Sequence, residues 1–117
     1  MLIAKKLAPV HQVLCAAPSY LARCGEPRTV HDLSRHELLA PEPETSWLLS
    51  TSDGCVNVPV RGRLRTSSGE AIREAIIGGA GIGLRPTWNI SREVAEGRLR
   101  VVLPECRANG HAGLFAV

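Results

Sequence analysis

The residues best placed to do chemistry are Ser67, Ser68 and Gly69, which end a run of alternating residues and open a helical one. At a helix N-terminus they offer two hydroxyls and backbone N–H groups with no intrahelical acceptor, an arrangement that attracts anions. Helix capping is the competing role, since Ser67 and Glu70 have capping-box spacing. Pro86, Thr87 and Trp88 follow the next expected strand, so they fall at a carboxyl edge, where open α/β sheets bind ligands. The two edges together suit a small carboxylate.

Other constellations fail on spacing. Four His and four Cys would be enough for a metal, but His31 and His36 do not align on one helical face. Cys15, Cys24, Cys55 and Cys106 form no C-x-x-C pair. No metal or cofactor is therefore expected, and the thiols read as reduced, in a cytoplasm. Ser67 and Ser68 lack the flanks of a nucleophile elbow, and no base stands beside them in the sequence. The cluster Gly78-Gly79-Ala80-Gly81-Ile82-Gly83 follows a helix and precedes a strand, the reverse of a dinucleotide fingerprint, so it reads as helix termination and close packing. Arg61, Arg63 and Arg65 would share one face of a strand over 60–66 and could meet phosphates; a solvated edge strand is the alternative.

The elements that position these residues follow from local rules. Extended pieces are expected over 2–8 and 11–16, separated by Pro9. Pro18 and Gly25 bracket a short helix, and Thr29 with Asp32 forms a capping box that opens another over 30–35. Ser46 to Ser50 reads as a strand, Ser52-Asp53-Gly54 as a turn, and the alternation from Val56 through Arg65 as an edge strand marked by Pro59. Ile72, Ala75, Ile76 and Gly79 give a helical face, Ile82 to Leu84 a strand stopped by Pro86, and Ser91 to Glu96 a helix closed by Gly97. Leu99 to Leu103 and Ala112 to Val117 are the last strand candidates. Strands alternating with short helices predict a mixed α/β sheet.

Composition narrows the classes. With 117 residues, 44% hydrophobic and 21% charged, the chain is one ordinary globular domain. Four aromatics leave no base-stacking platform, and the +3 charge is dispersed. The longest stretch free of charge and proline, 75–84, is about half a bilayer span, so no membrane partner is expected, and the N-terminal charge order is the reverse of a secretory signal's.

The order and spacing of several segments resemble the C-terminal effector-binding domain of LysR-type transcriptional regulators, mainly its second subdomain. They are Ile3 to Pro27, Asp32-Leu-Ser-Arg-His36, Gly62-Arg-Leu-Arg-Thr-Ser-Ser-Gly-Glu-Ala71, Gly79-Ala-Gly-Ile-Gly-Leu-Arg-Pro-Thr-Trp88 and Gly97-Arg-Leu-Arg-Val-Val-Leu-Pro104. The resemblance implies one lobe of a type 2 periplasmic-binding-protein-like domain, with the lobe over 10–100 and crossover strands around 3–15 and 99–117. It implies a cytoplasmic sensor, not an enzyme, that binds a small, often acidic, effector. By position Thr66, Ser67, Ser68, Gly69, Pro86 and Trp88 match the segments lining the family's effector cleft, and Arg85 stands where the family usually has an aliphatic residue. DNA would be met only through an N-terminal winged helix-turn-helix that these 117 residues lack. Crossover strands without their usual partners would leave open edges and favour a homodimer or strand exchange. The competing readings are a stand-alone solute-binding or self-associating half-domain, and a small enzyme with Ser67 to Gly69 as an anion hole.

Overall fold

A computed structural model describes residues 10–110, with side chains over 12–108. The elements run β1 (Val10–Ala16), α1 (Pro18–Cys24), a 3-10 helix (Val30–Arg35), β2 (Leu38–Leu39), β3 (Ser46–Thr51), β4 (Gly54–Pro59), α2 (Gly69–Ile77), β5 (Ile82–Pro86), α3 (Thr87–Ala95) and β6 (Arg100–Gly110). They build one six-stranded sheet in the order β2-β5-β1-β6-β3-β4. The β2–β5 pair is parallel and the other pairs antiparallel, so the sheet is mixed, as the sequence predicts.

Alternation along the central strands sends side chains to two cores. Leu14 pairs with Leu84 and Val102, and its face carries Tyr20 and Leu21 of α1, Leu33 of the 3-10 helix, and Trp47 and Leu49 of β3. Val13 and Cys15 point the other way, onto Ile72 and Ile76 of α2 and Ile90 of α3. Burial pushes the Cys15 thiol up to about 12, so it stays protonated and packs as a small apolar group. A Cβ at Gly83 would overlap the Ile76 side chain, which is why the strand beneath α2 carries glycine there.

Three expectations change. Past Pro59 the chain pairs with no strand, so residues 60–68 are irregular and Arg61, Arg63 and Arg65 do not share a strand face. Their backbone is satisfied instead by Leu38 N–H donating to the Arg61 carbonyl (3.0 Å) and Glu42 N–H donating to that of Thr66 (2.8 Å). The helix expected from Ser91 starts at Thr87, because Pro86 ends β5 and serves at once as the N-cap, with φ −61° and ψ 143°. Finally, β1 is paired on both sides, by β5 and β6, so the open edge expected of this crossover segment is absent over its described part. The strands expected over 2–8 and 112–117 lie outside the described residues.

α1 is tied to the chain after the 3-10 helix through Tyr20. Its hydroxyl accepts the Glu37 N–H (3.2 Å) and lies 2.6 Å from His36 Nδ1. Which of the two groups donates across this contact is set by the imidazole tautomer. Burial, with help from Arg35 and against Asp32, holds the His36 pKa below its ordinary value. Unfolded, His36 takes up a proton at higher pH than folded. Its contribution to stability is thus complete above about pH 6.5 and is lost as pH falls from there toward the depressed folded value. Urea midpoints at about pH 7.5 and 5.5 should fall for the natural chain and fall less for His36→Gln; parallel pH dependence in both would sink this assignment.

Candidate effector site

α2 begins where the sequence expects, one residue later in detail. Ser68, not Ser67, is the N-cap, and its hydroxyl accepts the Ala71 N–H at 3.0 Å. Ser68 N–H in turn donates to Thr66 Oγ1 (3.1 Å), so Thr66 and Ser68 are occupied in shaping the turn. Among the described residues that leaves the N–H groups of Gly69 and Glu70 without an acceptor at the positive end of the helix. Ser67 is exposed beside them.

The second edge comes from β5. Pro86 caps α3, and Trp88, on the first turn of that helix rather than in a loop, is 70% exposed. Between the two helix starts lies Arg85, which the resemblance singles out as a departure able to alter packing or charge near the cleft. Arg85 pairs with Val13 across the sheet, and its guanidinium reaches the start of α2: a Cβ added to Gly69 would lie 3.8 Å from Arg85 Nη1. Arg85 Nε donates to Asn89 Oδ1 on α3 at 3.0 Å. Arg73 then joins the two helices, donating to the Asn89 carbonyl (3.3 Å) and to the buried Glu93 carboxylate.

The electrostatics favour an anion. Arg85 is half-buried and, among the described residues, belongs to no ion pair within 4.0 Å. Desolvation lowers its pKa, as expected of a cation short of a partner. Glu44 and Glu70 are near enough to oppose that effect without neutralising the guanidinium. The structure thus gathers Gly69, Glu70, Arg85 and Asn89 around one spot, with Ser67 and Pro86 adjacent in the chain. Asn89 is the residue that the sequence reading missed; its signal was a position four residues after Arg85, unreadable until the strand-to-helix junction was known. Among the described residues no helix is long and apolar enough to cross a membrane.

The family model described as LysR substrate binding domain matches residues 1–116. The HTH-type transcriptional regulator DmlR of Escherichia coli strain K12 is 37% identical over 108 residues, which are 89% of this chain and 35% of DmlR. The HTH-type transcriptional activator TtdR of the same strain is 35% identical over 107 residues, 88% of this chain and 34% of TtdR. This chain therefore spans about a third of these relatives, which are transcriptional regulators. Among solved structures, the regulatory domain of AphB in Vibrio vulnificus superposes with a TM-score of 0.80 at 34% identity, covering 87% of this chain and 52% of that one. The full-length Vibrio cholerae virulence activator AphB, a member of the LTTR protein family, gives a TM-score of 0.80 at 32% identity, covering 88% and 36%.

Proposed function

Since the chain belongs to the LysR substrate binding domain family, we propose that it is one lobe of the effector-sensing domain of a cytoplasmic transcriptional regulator and holds a small anion where α2 and α3 begin. The observation that supports this reading is the half-buried Arg85 guanidinium against Gly69, which forms no ion pair among the described residues. A carboxylate there would receive charge-assisted hydrogen bonds from the guanidinium and dipolar attraction from two unspent N–H groups. Thr66 and Ser68 shape the turn, Ser67 is free to add a hydroxyl, and Pro86 with the exposed Trp88 supplies an apolar wall. The two-lobed domain architecture, the crossover role of β1 and β6, and contact with DNA through a winged helix outside these residues are parts of the same proposal. So is self-association as a homodimer or by strand exchange; a monodisperse monomer in light scattering at tens of micromolar would count against that part.

Succinate is a suitable probe. Titrated against the 15N-labelled chain, it should shift the amides of Gly69, Glu70 and Asn89, and Arg85→Gln should weaken binding about tenfold, the loss expected for one charge-assisted hydrogen bond. Binding unchanged by Arg85→Gln would remove the anchor of the proposal.

A further inference from the structure

Gly69, Glu70 and Arg73 lie on one face of α2, since helical positions three and four apart are neighbours. Arg73 turns that face toward α3, where its Nε donates to the Asn89 carbonyl at 3.3 Å. The same guanidinium meets three carboxylates: Glu70 Oε2 at 3.5 Å and Glu74 Oε2 at 3.4 Å from Nη1, and the buried Glu93 through Nη2. Arg85 meets no carboxylate within 4.0 Å among the described residues, although its Nε donates to Oδ1 of the same Asn89. Two guanidiniums thus converge on Asn89, and the ion pairs there belong to only one of them.

Charge alone does not dictate this division, because Glu70 stands between the two cations. It follows Gly69, whose added Cβ would lie 3.8 Å from Arg85 Nη1, and it precedes Arg73 by one turn. It is also near enough to Arg85 to oppose the effect of desolvation on that guanidinium. The Glu70 side chain is 70% exposed, so its carboxylate exchanges partners at little cost. Arg73 is only 19% exposed and is pinned by Glu93 and Asn89. A pair between Glu70 and Arg85 would occupy the guanidinium that an anion needs.

We propose that Arg73 is a positioning residue that keeps the anion site open: it holds Glu70 away from Arg85, while Glu93 and Asn89 hold Arg73 in place. Glu70 is then a built-in competitor of the effector, and without Arg73 the anion must displace it. The inference rests on Arg85 as the anchor of the site.

Removing Arg73 alone would leave the Glu93 carboxylate buried with Arg98 as its remaining partner, at 3.7 Å. The test therefore replaces both members, Arg73→Met with Glu93→Leu, since exchanging a whole buried ion pair for apolar groups is far milder than breaking it. In the 117-residue chain this double variant should bind succinate about three- to fivefold more weakly, the worth of a partly exposed ion pair. Adding Glu70→Gln should restore the natural affinity with the urea midpoint little changed, a rescue that a merely structural role of Arg73 does not predict. Adding Glu74→Gln instead removes the same charge one turn further from Gly69 and should restore nothing. Arg73→Lys, which keeps a charge against Glu93 but lacks the fork that also spans to Glu70, should give the same pattern with the buried charge still paired. The proposal is overturned if both Arg73 backgrounds bind succinate like the natural chain, if Glu70→Gln restores nothing, or if Glu74→Gln restores as much as Glu70→Gln. None of these results touches the anchor itself, which stands or falls with the loss of succinate binding in Arg85→Gln.

Discussion

Gly62→Ala is expected to destabilise the chain by about 3 kcal/mol, the upper end for overpacking, and to lower Tm by roughly 10 °C. An alanine Cβ at this position would overlap the Leu38 carbonyl oxygen and come within 3.2 Å of Glu37 Oε2. Neither obstacle can move cheaply. The Leu38 backbone is fixed on both sides, its N–H donating to Arg61 and its strand paired with β5, and Glu37 Oε2 holds the Arg63 N–H. Relief must come from the 60–68 loop lifting away, which would break the bonds that replace a strand ladder there. Gly69→Ala is the control. Its added Cβ meets only Arg85 Nη1, at an ordinary 3.8 Å, on the first helical residue of α2. Alanine there should be neutral or slightly stabilising, since it restricts the unfolded chain without strain. Urea unfolding of both variants separates steric overlap from chain entropy; a Gly62→Ala midpoint equal to that of the natural chain would show that the loop does not sit as described.

What could be read from the sequence follows from how local each determinant is. α1 is fixed by Pro18 at its start and Gly25, at φ 87°, just past its end. The 3-10 helix is fixed by the reciprocal bonds of Thr29 and Asp32, and α2 by a serine cap and a left-handed Gly79. These are contacts within a few residues, so spacing reveals them. The irregular 60–68 segment shows the opposite case. Its alternation of Arg with Gly62 and Leu64 has the period of a strand, but a strand needs a neighbour, and the partners that satisfy this backbone, Leu38 and Glu42, lie some twenty residues upstream. Arg85 is a second instance. That it points at Gly69 depends on the β1–β5 register and on α2 crossing that face, neither of which leaves a local mark. The resemblance of the chain to its family supplied the proposed region and singled out Arg85 beside it, whereas the reach of Arg85 to Gly69 and Asn89 came from the geometry.

Trp47 carries the other large effect. It is 2% exposed on β3, opposite Val58 of β4, and packs in the core that also holds Leu14, Leu33 and Val102. Trp47→Ala should cost about 3–5 kcal/mol, transfer and cavity terms together, a large part of the roughly 5–15 kcal/mol available to a domain of this kind. Its indole N–H is buried without an acceptor among the described residues, so one part of the side chain works against the fold. Trp47→Phe therefore removes an unpaired donor as well as some volume, and should cost much less than Trp47→Ala. The same change at Trp88, which is 70% exposed, should stay within about 0.5 kcal/mol of the natural chain. In a Trp88→Phe background the fluorescence reports Trp47 alone, and its emission should be blue-shifted and move to the red on unfolding. A red-shifted emission in the native state, or a Trp47→Ala variant as stable as the Trp88 one, would mean that this strand is not packed in the core, and that the sheet lacks the wall on which β3 and β4 depend.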